Sequence, residues 1–393
     1  MNDALAGGAR SPVTTPEPLR GTTPVRLIRT AAAGAIALTG ALALSACGSD
    51  NNSTSTGGAA GGSTGGSSAS ADCFSGQLNG EGSTAQKNAI EAAIKTYQGN
   101  CADATINYNA TGSGAGIKQF IAKQVTFAGS DSALKTDEAA SAATACGSPA
   151  WNLPMVAGPI AVAYKLSGVD KLILNASVTA KIFNGVITTW NDPAIAALNP
   201  GVTLPSTAIK VFFRSDESGT TENFTKYLKA AAPSDWTADA AKKWTGKGEG
   251  KEKSAGVSSA VASTDGGITY TEWSYATQNN LGVAQIDSGA GAVELTGESA
   301  GKFVATATQA GTGNDLSLKL DYATKEAGVY PIVLVTYNIA CSKNADASKG
   351  TAVKDFFTTF AGNDVQASLE KIGYAPLPKE VQTKVLAAVA AIS

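Results

Sequence analysis

The amino-acid sequence predicts an α/β fold in two lobes, and three observations carry that reading. Between residues 74 and 131, short apolar stretches alternate with Gly/Ser turns and helical runs, the pattern of strand–turn–helix units on a parallel sheet. Two long apolar runs, Pro154–Tyr164 and Tyr330–Ala340, read as buried strands able to connect two lobes. A chain of 393 residues also exceeds what one core normally holds, which favours two domains.

The first element is a targeting segment. Arg20, Arg26 and Arg29 precede an apolar run from Ala31 to Leu44. That run is too short to cross a bilayer as a mature helix and fits the apolar region of a secretory signal. It ends in Leu44-Ser45-Ala46-Cys47, which resembles the bacterial lipobox, where the cysteine is diacylated and becomes the new N-terminus. Residues 1–46 are therefore expected to be a lipoprotein signal peptide, with Cys47 the lipidated residue. Residues 47–72 are expected to be an anchored tether. From Gly48 to Ala71 they are Gly, Ser, Thr, Ala and Asn with one Asp, a composition that cannot bury a core. The expected location is extracytoplasmic, anchored by lipid to the outer face of the cell membrane.

Folded sequence begins near Cys73. Strand Phe74–Leu78 leads through Gly80-Glu81-Gly82-Ser83-Thr84 into helix Ala85–Tyr97. Strand Thr105–Tyr108 leads through Gly112-Ser113-Gly114-Ala115-Gly116 into a helix ending near Ala122, and strand Val125–Ala128 leads into Gly129-Ser130-Asp131. After the long strand Pro154–Tyr164 come helices Val178–Phe183 and Pro193–Leu198, strand Ile209–Phe213, the turn Arg214–Thr221 and helix Glu222–Ala231. Residues 245–265 are rich in Gly, Lys and Ser and read as loop. Strands Gly267–Tyr270 and Ala284–Ile286, the long strand Tyr330–Ala340, and helices Ala352–Phe360 and Lys379–Ala391 complete the chain. Residues 73–158 and 328–393 are assigned to lobe I and residues 159–327 to an inserted lobe II.

Composition narrows the chemistry. The sequence contains no His, which removes Ser-His-Asp and Cys-His hydrolases and His-based zinc sites. A phosphatase using Ser113 or Ser218 as nucleophile would lack both a histidine base and a clear metal cluster. A net charge of −2 argues against a nucleic-acid partner, which needs a basic patch. No cofactor, metal site or catalytic residue is expected. Four cysteines follow the tether, and an exported protein with an even count is expected to pair them. Three pairings are possible. Cys73 and Cys101 bracket the first strand and helix on one edge of a βαβ unit, so Cys73–Cys101 with Cys146–Cys341 is favoured.

Three Gly/Ser/Thr turns and one Arg-containing turn share a logic. Helix N-termini present unpaired N–H groups and a partial positive charge, and Gly lets a ligand approach the backbone closely. Ser83-Thr84, Ser113 and Ser218-Gly219-Thr220 stand at or just before predicted helices, so together they describe an anion pocket. Arg214 adds a forked cation suited to oxyanions, and Asp216 is placed to hold it. Asp131 would repel an anion unless that anion carries a proton for the carboxylate to accept. Monohydrogen phosphate has such a proton and sulfate at neutral pH does not. A site built around such a partner rejects an analogue lacking it by about 10⁴–10⁵.

These turns, in this order, resemble the phosphate-binding proteins of bacterial high-affinity phosphate ABC transporters. The resemblance rests on Gly80-x-Gly-Ser-Thr84, Gly112-Ser-Gly-Ala-Gly-Ile-Lys-Gln119, Phe127-Ala-Gly-Ser-Asp131 and Arg214-Ser-Asp-Glu-Ser-Gly-Thr-Thr221. Leu153-Pro154, Ile182-Phe183-Asn184-Gly185, Thr189-Trp190-Asn191-Asp192, Leu198-Asn199-Pro200-Gly201 and Gly373-Tyr374-Ala375-Pro376-Leu377-Pro378 agree with it, so it covers about residues 73–393. The resemblance implies a two-lobed periplasmic-binding-protein fold of type II, with two hinge strands and a ligand cleft between the lobes. It implies phosphate contacts from Thr84, the backbone of Ala85, Ser113, Asp131, Arg214, Ser218, Gly219 and Thr220, with Asp216 orienting the arginine. Two positions depart from the family: Ala85 stands where many members have an aromatic residue, and Glu217 where a small one is common. The implied partners are inorganic phosphate, the membrane permease subunits of an importer, and the membrane itself through Cys47. Alternatives are another tetrahedral oxyanion, arsenate or sulfate, or an adhesin or signalling protein that retains the fold.

Overall fold

The computed structural model describes residues 73–393; the expected signal peptide, Cys47 and the tether lie outside the described residues. The chain begins with β1 (Gly76–Gly82), α1 (Lys87–Asn100), β2 (Ala104–Ala110), α2 (Ser113–Ile121), β3 (Phe127–Ser130), α3 (Thr136–Cys146) and β4 (Ala150–Lys165). It continues through β5 (Ile173–Asn175), α4 (Ala176–Phe183), α5 (Pro193–Ala196), β6 (Lys210–Arg214), α6 (Gly219–Ala231), β7 (Glu249–Lys251), α7 (Lys253–Ala262), β8 (Gly267–Glu272) and α8 (Trp273–Gln278). Short strands β9 (Gly282–Val283), β10 (Gln285–Asp287), β11 (Ala292–Val293), β12 (Thr308–Gln309) and β13 (Leu318–Lys319) surround α9 (Gly297–Ala305). Then come β14 (Val333–Cys341), α10 (Ala347–Ala361), α11 (Asn363–Leu369) and α12 (Lys379–Ala390).

Among the described residues, nine strands form one sheet in the order β2-β1-β3-β14-β4-β8-β6-β7, with β9 alongside β4. The expected parallel pairing holds within each end: β1 with β2 and β3, and β6 with β7 and β8. The middle is antiparallel, because β14 runs against both β3 and β4, and β4 runs against β8. The long strand β4 changes partner midway. Ala150–Pro159 pair with β14, and Ile160–Lys165 pair with β8. A near-continuous apolar sequence suits a strand buried on both faces in this way. The sheet is thus mixed rather than parallel throughout, since the returning strand β14 closes the first half from the far end of the chain.

Helices cover the sheet where their apolar stripes dictate. In α1, Ala89, Ile90, Ala93 and Tyr97 form the buried stripe, at the spacing of one helical face. They join Phe356, Phe357 and Phe360 of α10 and Val385 and Val389 of α12 in one core. A second core gathers β4, α4, α6 and β8, with Trp190, Trp236, Phe224 and Tyr270 buried in it. Both favoured disulfides are present: Cys73–Cys101 and Cys146–Cys341. The second ties the end of α3 to the end of β14 across 195 residues of sequence.

One segment departs from the sequence reading. Residues 245–265 are not loop: they hold β7 and the ten-residue helix α7. The buried residues of α7 are Ser254, Val257, Ser258 and Val261, a helical spacing in which half the positions are serine. Small polar residues disguise the stripe, and burial comes from close packing rather than side-chain bulk. The helix α3 was also not marked by apolar periodicity, and only Ala142 is buried on it.

Candidate functional site

The predicted turns converge. β1, β2 and β3 are parallel neighbours, so their carboxyl ends lie side by side, as crevice sites in α/β sheets require. After β1 come Ser83 and Thr84; after β2, Gly112 and the start of α2 at Ser113; after β3, Asp131. From the other half, β6 delivers Arg214 at its end, and α6 begins at Gly219 behind its N-cap Ser218. Thr84, Ala85, Ser113, Asp131, Arg214, Ser218 and Thr220 are all buried.

Asp131 stands at the centre. Ser83 Oγ donates to its Oδ1, Ser113 Oγ donates to Oδ2 at 3.2 Å, and Thr220 Oγ1 donates to Oδ2 at 3.4 Å. The Asp131 backbone N–H in turn donates to Ser113 Oγ at 3.1 Å. Asn223 Nδ2 of α6 donates to the Asp131 carbonyl at 2.7 Å, a contact between the two halves of the sheet. Burial pushes the Asp131 carboxyl up to about 6, against the pull of Ser83, Arg214, Ser113 and Thr220 in the other direction. Above that value it is ionised and accepts hydrogen bonds.

Arg214 is held by a fork. Its Nε donates to Asp216 Oδ1 at 2.7 Å, and Nη2 donates to Asp216 Oδ2. Lys253 N–H donates to Asp216 Oδ1 at 3.0 Å. Burial would raise the Asp216 carboxyl, but the arginine's hydrogen bonds and charge outweigh it and hold Asp216 below the usual carboxylate range. Nη1 of Arg214 points elsewhere, to Ser254 Oγ at 3.2 Å. Ser218 Oγ accepts from Thr221 N–H at 3.2 Å, which caps α6 and leaves its hydroxyl hydrogen available.

Two glycines let the halves meet. A Cβ on Gly219 would lie 2.6 Å from both Asp131 Cβ and Ser113 Oγ. Gly112 has φ +105, and a Cβ there would lie 2.7 Å from Asp216 Oδ2. Further contacts cross between the halves: Lys242 pairs with Glu138 at 3.1 Å and Lys118 with Glu217 at 2.6 Å. Glu217, the departure from the family pattern, therefore lies outside the cluster of donors, in ion pairs with Lys118 and Lys243. Behind the site, Glu272 ends β8 fully buried, with Ser274 donating through Oγ to Oε2 and through N–H to Oε1 at 3.0 Å. Burial raises the Glu272 carboxyl well above its ordinary range.

Residues that sequence reasoning missed are Ser254, Asn223 and the role of Ser83 as a prop for Asp131. Only Ser83 had a legible signal, lying next to Thr84 in a recognised turn. The charged side chains of the cluster, Arg214, Asp216 and Asp131, sum to one negative charge. An anion there must be held by hydroxyls, N–H groups and the N-termini of α2, α6 and α7. No group of His, Cys, Asp and Glu suited to a metal ion occurs among the described residues.

The model of the PBP superfamily domain matches residues 54–362 of this chain, and the mixed α/β sheet described above is consistent with it. The phosphate-binding protein PstS 3 of Mycobacterium tuberculosis is 48% identical over 375 residues, covering 94% of this chain and 100% of that protein. The phosphate-binding protein PstS of Xylella fastidiosa is 31% identical over 349 residues, covering 86% of this chain and 92% of that protein. Among solved structures, a high affinity periplasmic phosphate-binding protein (PfluDING) bound with phosphate superposes with a TM-score of 0.66 at 25% identity, covering 79% of this chain and 93% of that one. The chain belongs to the PstS family of phosphate-binding proteins within that superfamily.

Proposed function

We propose that this protein binds inorganic phosphate with high affinity outside the cytoplasm and delivers it to the permease of an ABC importer. The observation that carries the reading is Asp131: a buried carboxylate among hydroxyl donors, beside an arginine held by its own acid. Such a pocket suits an oxyanion with both bare and protonated oxygens. Thr84, the N–H of Ala85, Ser113, Arg214, Ser218, Gly219 and Thr220 are the proposed donors, Asp131 the acceptor, and Asp216 the residue that orients Arg214. The names of the relatives, phosphate-binding proteins throughout, support the same ligand.

Residues 73–158 with 328–393 are proposed as lobe I and 159–327 as lobe II. The change of partner in β4 at Pro159 and Ile160 supports a hinge there. Ligand bridging both lobes would close that hinge, exclude water and strengthen each charged hydrogen bond. The protein acts by binding and release and makes or breaks no bond of its ligand. A lipid on Cys47 is proposed to keep it at the membrane. Arsenate, which also carries a proton, would satisfy the same groups; sulfate would leave Asp131 facing an unprotonated oxygen.

Calorimetric titration of the purified protein, stripped of bound ligand by partial unfolding, tests the reading. Micromolar or tighter phosphate binding with negligible sulfate binding is expected. A folded, stripped protein that ignores phosphate overturns it.

A further inference from the structure

We infer that Ser254 fixes the direction of the Thr84 hydroxyl, and is thereby a positioning residue that decides which oxygens the anion site accepts. The inference rests on the phosphate reading above. Ser254 is the second residue of α7, is fully buried, and lies 170 residues from Thr84 in sequence. Its Oγ is 3.2 Å from Arg214 Nη1 and 2.9 Å from Thr84 Oγ1.

Either hydroxyl could donate in the Ser254–Thr84 bond, and the inference takes the direction in which the Ser254 hydrogen goes to Thr84. A guanidinium only donates, so Ser254 Oγ accepts from Arg214. Ser254 has one hydroxyl hydrogen, and Thr84 Oγ1 is the acceptor within its reach. Ser254 N–H also aims at Thr84 Oγ1, at 3.4 Å. A threonine hydroxyl has two acceptor lone pairs and one hydrogen. With Ser254 supplying both hydrogens, the hydrogen of Thr84 is left for the pocket. Thr84 then presents a donor to the ligand and never an acceptor. Its facing oxygen must be unprotonated, and the protonated oxygen is sent to Asp131. The two ends of the site thus read opposite polarity.

The backbone supports this role. Lys253, a non-glycine residue, sits at φ +64, in the left-handed region that such residues occupy only when their surroundings hold them there. That turn lets residues 253 and 254 act together, with the Lys253 N–H on Asp216 and the Ser254 hydroxyl on Arg214 and Thr84. One short segment therefore ties the arginine's acid, the arginine and the opposite lobe's hydroxyl into a single chain.

A double-mutant cycle tests it, using inorganic phosphate and measuring both Kd and dissociation rate for wild type, Ser254→Ala, Thr84→Val and the double variant. Ser254→Ala is expected to weaken binding about tenfold, the size of one charge-assisted hydrogen bond, mainly through faster dissociation. In the Thr84→Val background the same change should cost about twofold, because Arg214 remains held by Asp216 and no hydroxyl is left to direct. A purely structural role would cost the same in both backgrounds, and that result overturns the inference. So does wild-type affinity in Ser254→Ala. If Ser254→Ala fails to fold by circular dichroism, Ser254→Cys, with its weak donor, takes its place in the cycle with the same expectations. Failure of the wild type to bind phosphate overturns the functional reading and this inference with it, whereas wild-type binding with additive losses overturns this inference alone.

Discussion

Replacing Gly219 with alanine puts a methyl group where the two halves of the site touch. The new Cβ would lie 2.6 Å from Asp131 Cβ, 2.6 Å from Ser113 Oγ and 2.9 Å from Asp131 Oδ2. Asp131 Cβ cannot turn away from its own backbone, and Ser113 Oγ is held by hydrogen bonds to Asp131, so the clash is relieved by moving α6 away from β3 and α2. Overpacking of this kind costs about 1–3 kcal/mol. If Asp131 and Gly219 approach only when the lobes close, the whole cost falls on the bound form, and phosphate affinity drops by about 5- to 150-fold. The ligand-free protein should keep its thermal midpoint, because alanine at the first position of α6 is a better helix former than glycine. Calorimetry gives the affinity, and scanning calorimetry without ligand gives the stability. Gly301→Ala on α9 is the control: its Cβ meets nothing within 4 Å, and phosphate affinity should not change. Affinity within twofold of wild type in Gly219→Ala would refute the geometry. An equal fall in ligand-free stability would refute its assignment to closure.

Three further outcomes are expected. Because burial holds the Asp131 carboxyl up to about 6, phosphate affinity should fall as pH drops through that value and the acceptor is lost; in Asp131→Asn the fall should shrink to the part contributed by phosphate's own titration, and an unchanged profile in that variant would refute the role. Glu272 stays neutral in the fold to a pH well above its ordinary range, while the unfolded chain ionises within that range. Stability from this group is full at acid pH and falls as pH rises, by at most about 1.4 kcal/mol per pH unit, so urea unfolding of Glu272→Gln should show a shallower decline from acid to neutral pH than wild type. Replacing Cys146 and Cys341 by alanine opens a 195-residue loop and should lower unfolding stability by about 2–5 kcal/mol with phosphate affinity retained; an unchanged thermal midpoint would contradict that.

The sequence was sufficient for features decided locally. Gly112-Ser113, Ser218-Gly219-Thr220 and Arg214-x-Asp216 each lie within a few residues of a helix start, and turn and capping chemistry depends on nearest neighbours in the chain. The strand–turn–helix rhythm also puts Ser83-Thr84, Ser113 and Asp131 at the carboxyl ends of neighbouring strands, whereas their meeting with the Arg214–Thr221 turn is implied by the family resemblance. The pairing of Cys73 with Cys101 followed from the same local unit.

Tertiary structure decided what depends on distant neighbours. Nothing along the sequence says that β4 leaves β14 for β8 at Ile160, because a buried apolar strand looks alike on either side of such an exchange. Helix α7 escaped notice because its buried face is serine and valine, and serine becomes a core residue only when another element packs closely on it. That packing brings Ser254 to Thr84 and Arg214. The acidity of Asp131 belongs to the same class. A carboxylate's side chain is the same in any sequence, and only exclusion of water by residues far along the chain moves its titration toward neutrality.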